Sequence, residues 1–153
     1  MVARSIFAIG CLVLALSLTA TEPGVKVQVA GGTVPSIATK AFLRLDLTRA
    51  DSLIFHFGKN DLGVAYNKIN TVEYGQNVSR RYAAAVLISP VLLLSKTRKH
   101  FVTIGYLDEE GKQQALVIRV EKGDIRSVLA SLEARTGRRI EYQDGEARKA
   151  GKG

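Results

Sequence analysis

Phe42-Leu43-Arg44-Leu45-Asp46-Leu47 is the stretch that decides the fold, because apolar and charged side chains alternate along it. Successive side chains of a β-strand point to opposite faces of a sheet. The three leucines therefore share one face, and the two charged residues share the other. This pattern predicts a strand that is buried on one face and solvated on the other.

Further runs of β-type residues follow, and turn residues separate them. They are Ser52–Phe57, Leu62–Tyr66, Ile69–Tyr74, Phe101–Leu107 and Ala115–Val120. Residues 58–61 and 108–112 supply the glycine, asparagine and aspartate that tight turns require. Many short strands punctuated in this way are typical of a β-barrel or a β-sandwich, so the predicted fold class is mainly β.

One amphipathic helix is predicted after the strands, from about Asp124 to Thr136. Its apolar residues recur at the spacing that places them on one helical face; they are Ile125, Val128, Leu129 and Leu132. Asp124 is the candidate N-cap, and Gly137 suits the left-handed position just past the helix end. Because the apolar face must be covered, we expect the helix to pack on the sheet. A short strand is expected at Arg139–Tyr142.

This succession of short strands closed by a C-terminal helix, from about Ala41 to Thr136, resembles the pleckstrin-homology-like superfold and its GRAM-type relatives. The segment Tyr66-Asn67-Lys68-Ile69-Asn70-Thr71-Val72-Glu73-Tyr74-Gly75 carries part of the resemblance. The tryptophan that is common in the helix of eukaryotic members is absent here. The chain is also similar to small exported bacterial proteins. The resemblance implies a PH-like barrel or sandwich and favours ligand or protein binding, but it names no ligand.

Residues 1–20 have the pattern of a secretory signal. Arg4 precedes an apolar run from Ile6 to Leu16, which is shorter than the roughly 20 residues that a membrane-spanning helix needs. We therefore expect a cleaved signal peptide that ends at Ala20, and a periplasmic or secreted protein. Leu18 lies where a small residue is preferred, so an uncleaved signal anchor that holds the protein at a membrane stays open.

The remaining chain is long enough for one domain. Residues 21–40 contain several prolines and glycines and are interpreted as a linker that can include a short strand at Val25–Val29. The domain itself is expected over residues 41–143. Residues 144–153 are expected to form a basic, disordered tail.

The segment Tyr82–Ser95 is uncharged and mostly apolar, and basic residues flank it on both sides. The flanking residues form the basic rim, which is expected to contact a membrane or another anion: Arg80, Arg81, Lys96, Arg98, Lys99 and His100. The apolar positions are Val86, Leu87, Ile88, Val91, Leu92, Leu93 and Leu94. The segment is too short to cross a bilayer, and Pro90 divides it.

Three interpretations of this apolar segment stay open. It packs into the domain core as a strand or broken helix, or it inserts at a membrane interface while the basic rim meets anionic headgroups. Alternatively, it forms an exposed patch for a protein partner. The net charge of +8 favours anionic partners in general but does not choose among them.

No catalytic or metal-binding motif is found in the sequence. His56 and His100 are the only histidines, and His56 is expected to be a solvated strand residue. The only cysteine, Cys11, lies in the signal region, so the mature chain has no cysteine nucleophile or disulfide. Asp108, Glu109 and Glu110 are interpreted as solvated turn carboxylates with ordinary pKa values.

These observations predict a non-enzymatic, exported binding module that acts at or near a membrane surface. No cofactor, metal or nucleic-acid partner is expected, because the aromatic residues occupy strand positions that suit a core. The alternative function is that of a structural or assembly partner of another envelope protein. That partner would bind through residues 82–95 or through a sheet edge.

Overall fold

The computed structural model describes residues 23–76, 87–88 and 99–152. This part of the chain contains nine strands, a short 3-10 helix at Tyr66–Lys68 and two α-helices. The strands are β1 (Val25–Gly32), β2 (Phe42–Asp46), β3 (Ser52–Phe57), β4 (Asn60–Ala65), β5 (Ile69–Gly75), β6 (Leu87–Ile88), β7 (His100–Leu107), β8 (Gln113–Val120) and β9 (Glu141–Tyr142). The helices are α1 (Ile125–Thr136) and α2 (Gly145–Lys152). The predicted mainly β fold class with a C-terminal helix is confirmed.

The strands form one sheet in the order β4-β3-β2-β1-β8-β7-β5-β9, and β6 pairs with β1. Two antiparallel meanders, β1–β4 and β5–β7–β8, are joined where Val27 of β1 lies opposite Val120 of β8. Among the described residues β4 and β9 do not pair with each other, so the expected barrel is not closed. The physical reason lies in β9, which runs parallel to β5 and occupies the edge that β4 would need.

The stretch 21–40 was predicted to be a linker that can include a short strand at Val25–Val29, and a strand, β1, is present there. Because β1 belongs to the sheet, the domain begins before residue 41. β1 pairs with β2 and β8 at the centre of the sheet, and Val27, Val29 and Ala30 are each 1% exposed. Its terminal Gly32 lies so close to β8 that a Cβ atom there would be 2.9 Å from Leu116 Cδ1. A glycine that looks like a strand breaker in the sequence therefore lies where neighbouring atoms leave little room for a side chain.

The predicted helix is confirmed as α1, with its boundaries where the capping residues predict them. Gly137 has a φ of 66°, in the left-handed region, and its N–H donates to the carbonyl of Glu133. Asp124 lies at the N-cap, but its carboxylate makes no capping hydrogen bond. The four apolar residues of α1 are all buried, and the helix contacts β5 and the 3-10 helix. It therefore covers the core face of the sheet, as expected.

The C-terminal residues predicted as a disordered tail form α2, which packs on the domain. The Asp144 carboxylate accepts a hydrogen bond from the Ala147 N–H at 2.7 Å and caps the first turn. Ala147 is fully buried, and a Cβ atom on Gly151 would lie 2.8 Å from Tyr142 Cε1. The buried face of α2 therefore consists of small residues, which hydrophobic periodicity does not detect. The short strand expected at 139–142 is confirmed as β9.

Candidate functional site

The two ends of the basic, apolar segment lie beside each other in the sheet. Gly75 at the end of β5 pairs with Phe101 near the start of β7, so Gln76 and Lys99 leave the same end of the sheet. Residues 77–98 contain four Arg or Lys residues and no Asp or Glu. Their four positive charges equal half of the net charge of +8. The described positions on either side of this basic stretch therefore lie at the same end of the sheet.

Most of the residues that the sequence singled out lie outside the described residues. Those that do are Arg80, Arg81, Lys96 and Arg98 of the basic rim, and Val86, Val91, Leu92, Leu93 and Leu94 of the apolar segment. Leu87 and Ile88 are described as backbone, and they pair with Gly32 and Gly31 of β1. Lys99 and His100 are described at the start of β7.

Cations from three parts of the fold meet at this end of the sheet. We name Lys99, Lys122, Arg148 and Lys152 the cationic end. Arg148 and Lys152 each lie 5.8 Å from the ring centroid of Tyr142, a distance that allows cation–π attraction. Tyr142 meets Tyr74 edge to face at 6.1 Å, and Lys122 acts electrostatically on His100. Glu121, Glu133 and Asp144 also act on this cluster, so it carries charges of both signs.

His100 differs from the rest of the basic rim because it is partly buried and hydrogen bonded. Its Nδ1 atom lies 2.5 Å from the Tyr74 hydroxyl, and the two rings stack at 6.0 Å. Burial lowers the pKa of His100, the nearby Lys122 lowers it further, and Glu121 opposes the shift. The imidazole is therefore neutral near pH 7. It contributes a hydrogen bond to the aromatic cluster instead of the positive charge that the sequence suggested.

A cleft of about 570 Å³ opens at the opposite end of β7, between β4 and the β7–β8 turn. Its walls are mostly apolar, and they include Val34, Leu62, Val64, Tyr106 and Leu107. The charged residues of the lining are Lys68, Asp108 and Glu109. The sequence did not indicate this cleft, because its walls come from strands whose relative positions depend on the sheet order.

The carboxylate of Asp108 is engaged within the turn beside the cleft. It accepts hydrogen bonds from Gln114 Nε2 at 2.8 Å, from the Lys112 N–H at 2.8 Å and from the Glu110 N–H at 3.0 Å. The bond from Gln114 and the two backbone bonds lower the pKa of Asp108, although the sequence suggested an ordinary value. This carboxylate therefore stabilises the turn and is poorly suited to act as a general acid.

His56 lies between two carboxylates that the sequence did not connect with it. Its Nδ1 atom is 2.6 Å from Asp61 Oδ1, and its Nε2 atom is 3.9 Å from Asp46 Oδ2. Burial opposes the charged form of Asp46, but hydrogen bonds from Thr48 and the nearby His56 and Arg49 outweigh it and lower the pKa. Because the carboxylates contact different ring nitrogens, they orient the imidazole. Within the described ranges, no group of three or more His, Cys, Asp or Glu side chains has an arrangement that could hold a metal ion.

No protein-family model matches this chain, and no curated protein matches it either. Among residues 23–76, 87–88 and 99–152, no helix has the length and apolar character to span a bilayer. The two surfaces described above, the cationic end and the cleft, lie at opposite ends of β7.

Proposed function

We propose that this chain is an exported, non-enzymatic binding module whose cationic end engages an anionic membrane surface. The observation that carries the proposal is the position of Lys99, Lys122, Arg148 and Lys152 where residues 77–98 leave and rejoin the sheet. The sequence between Gln76 and Lys99 contains four further cations and no carboxylate. Each cation near an anionic bilayer surface contributes about 1 kcal/mol of binding free energy.

We also propose that the domain belongs to the pleckstrin-homology-like superfold. Two antiparallel meanders joined through their first and last strands, followed directly by a helix that covers the core, support this proposal. Non-enzymatic binding is supported by the roles of the shifted carboxylates, because Asp46 and Asp108 are held in hydrogen bonds that stabilise turns.

Vesicle co-sedimentation tests the proposal with the protein recovered from the producing cell. Phosphatidylcholine vesicles with and without about 30% phosphatidylglycerol are compared, and salt is raised from about 0.05 to 0.5 M to shorten the Debye length. We expect binding only with the anionic lipid, and we expect it to weaken with salt. Equal binding to neutral vesicles would contradict the proposal.

Two matched double variants test whether binding depends on the cations of the cationic end or only on the net charge of the protein. Arg148→Gln with Lys152→Gln removes two cations of this end and keeps most of each side-chain stem. Lys59→Gln with Lys112→Gln removes two exposed turn cations. The first variant should bind anionic vesicles on the order of tenfold more weakly than the second. Equal loss would mean that charge acts without regard to position, and circular dichroism confirms that both variants are folded.

The role of the apolar segment is tested by Leu92→Asp with Leu93→Asp. If the segment inserts at the interface, this variant should stay folded and bind vesicles more weakly. If the segment packs on the domain, the variant should unfold, because carboxylates would enter a dry interior. Phe101 and Thr103 are 4% and 3% exposed on the face of β7 opposite the main core, which supports packing. A folded variant that binds like the parent would exclude insertion.

A further inference from the structure

The outer edge of β4 offers unpaired backbone groups. A two-residue turn joins Phe57 to Asn60, and the Tyr66 N–H donates to the Asp51 carbonyl at 2.9 Å. In this register, the backbone N–H and carbonyl groups of alternate β4 residues point towards β3. The N–H groups of Asp61, Gly63 and Ala65 and the carbonyls of Asp61 and Gly63 therefore point to the outer edge. Within the part of the chain that the structure describes, no hydrogen bond uses them.

The cleft beside the β7–β8 turn runs along this same edge. Four consecutive β4 residues, Leu62–Ala65, line it, and Val34, Tyr106 and Leu107 face them. Leu62 and Val64 alternate with the residues whose backbone groups point outwards. A strand added to β4 would satisfy the edge hydrogen bonds and would place alternate side chains in the cleft.

Lys68 is the cation of the cleft lining that is placed to pair with a carboxylate. Its Nζ atom donates to the Asp108 carbonyl at 3.2 Å, and no carboxylate among the described residues pairs with it. Asp108 and Glu109 also line the cleft. Three hydrogen bonds engage the Asp108 carboxylate within the turn, and Glu109 is exposed at the turn, where water screens its charge. The net charge of +8 likewise favours an acidic partner.

We propose that an extended peptide segment of a partner protein adds as a strand to β4. Its alternate apolar side chains enter the cleft, and one of its carboxylates pairs with Lys68. This site lies beyond the proposed membrane function, because the cleft and the cationic end are at opposite ends of β7.

Ala65→Pro is the variant that the geometry favours as a test. Ala65 has a φ of −64° and a ψ of 135°, which proline adopts without strain. The preceding Val64 is in an extended strand, as a residue before proline requires. The substitution removes one outward N–H and leaves the β3–β4 ladder intact. Ala65→Ser is the matched control because it keeps the N–H.

A library of random linear peptides selected on the full chain supplies the probes. Fluorescence anisotropy then measures the affinity of synthetic, end-capped copies of the enriched peptides. We expect them to alternate apolar residues and to carry a carboxylate. Ala65→Ser should bind them like the parent, and Ala65→Pro should bind them at least tenfold more weakly. Lys68→Gln should weaken binding only when the peptide carries its carboxylate.

Two further measurements keep the test decisive. If Ala65→Pro lowers the melting temperature, the test uses the parent chain and peptides that are N-methylated at alternate backbone positions. Methyl groups can be placed in two registers, and peptides of one register should no longer bind. Ala65→Pro should bind anionic vesicles like the parent, which separates this proposal from the membrane function. The proposal is overturned if no peptide is enriched, if Ala65→Pro binds the peptides unchanged, or if both N-methylated registers still bind.

Discussion

Leu129 of α1 tests whether the helix holds the domain together. Its side chain is 3% exposed, and its Cδ1 atom would lie 3.2 Å from a Cβ atom on Gly151 of α2. Leu129→Ala removes three buried carbon atoms, which is about 2.4 kcal/mol of transfer free energy at about 0.8 kcal/mol each. The cavity adds to this loss, so we expect the free energy of unfolding to fall by about 2–5 kcal/mol.

Urea unfolding followed by circular dichroism measures this loss directly. The control is Arg126→Ala, an exposed position on the same helix, which should change the free energy of unfolding by less than about 0.5 kcal/mol. For a domain of this size the Leu129 variant should also melt roughly 10 °C lower. A loss below about 0.5 kcal/mol with an unchanged urea dependence would refute the docking of α1 on the sheet.

Two further predictions concern α2 and His100. Gly151→Ala places a methyl group 2.8 Å from Tyr142 Cε1 and should destabilise the domain by about 1–3 kcal/mol. The control is Gly145→Ala, whose methyl group meets open space and which should be neutral or slightly stabilising. Thermal melts compare the two variants. Because burial lowers the pKa of His100, its contribution to stability is complete above the usual value of 6.5 and is lost as the pH falls below it. Urea melts at a series of pH values should show this loss, and His100→Gln should flatten the profile below about pH 6.5. If the variant and the parent have the same profile, the buried neutral imidazole is contradicted.

The sequence predicted the elements whose large side chains repeat with a regular period. β3 begins and ends where the run Ser52–Phe57 indicated, and α1 begins and ends at its capping residues. These elements bury leucine, isoleucine and phenylalanine on one face, so periodicity alone reveals them. The turns at 58–61 and 108–112 were also predictable, because Gly58 and Gly111 have φ values of 62° and 77° that favour glycine.

The sequence did not reveal the packing that depends on small residues. The short strand expected at Val25–Val29 is part of β1, but β1 continues through Gly31-Gly32. The helix α2 buries Ala147 and Gly151, which a search for large apolar residues does not count. Periodicity also could not predict that the sheet is open, because this depends on the pairing of β9 with β5. The cleft and the His56 cluster arise from strand order and register, which sequence spacing does not encode.

The position of the two proposed surfaces on β7 allows them to act together without interfering. His100 and Leu107 mark the ends of this strand, and seven steps of about 3.3 Å separate them by roughly 23 Å. This distance is nearly three Debye lengths of about 8 Å at physiological ionic strength, so anionic headgroups at the cationic end act only weakly on the charge of Lys68. Such a domain would therefore hold a peptide partner beside a membrane while its two sites bind independently.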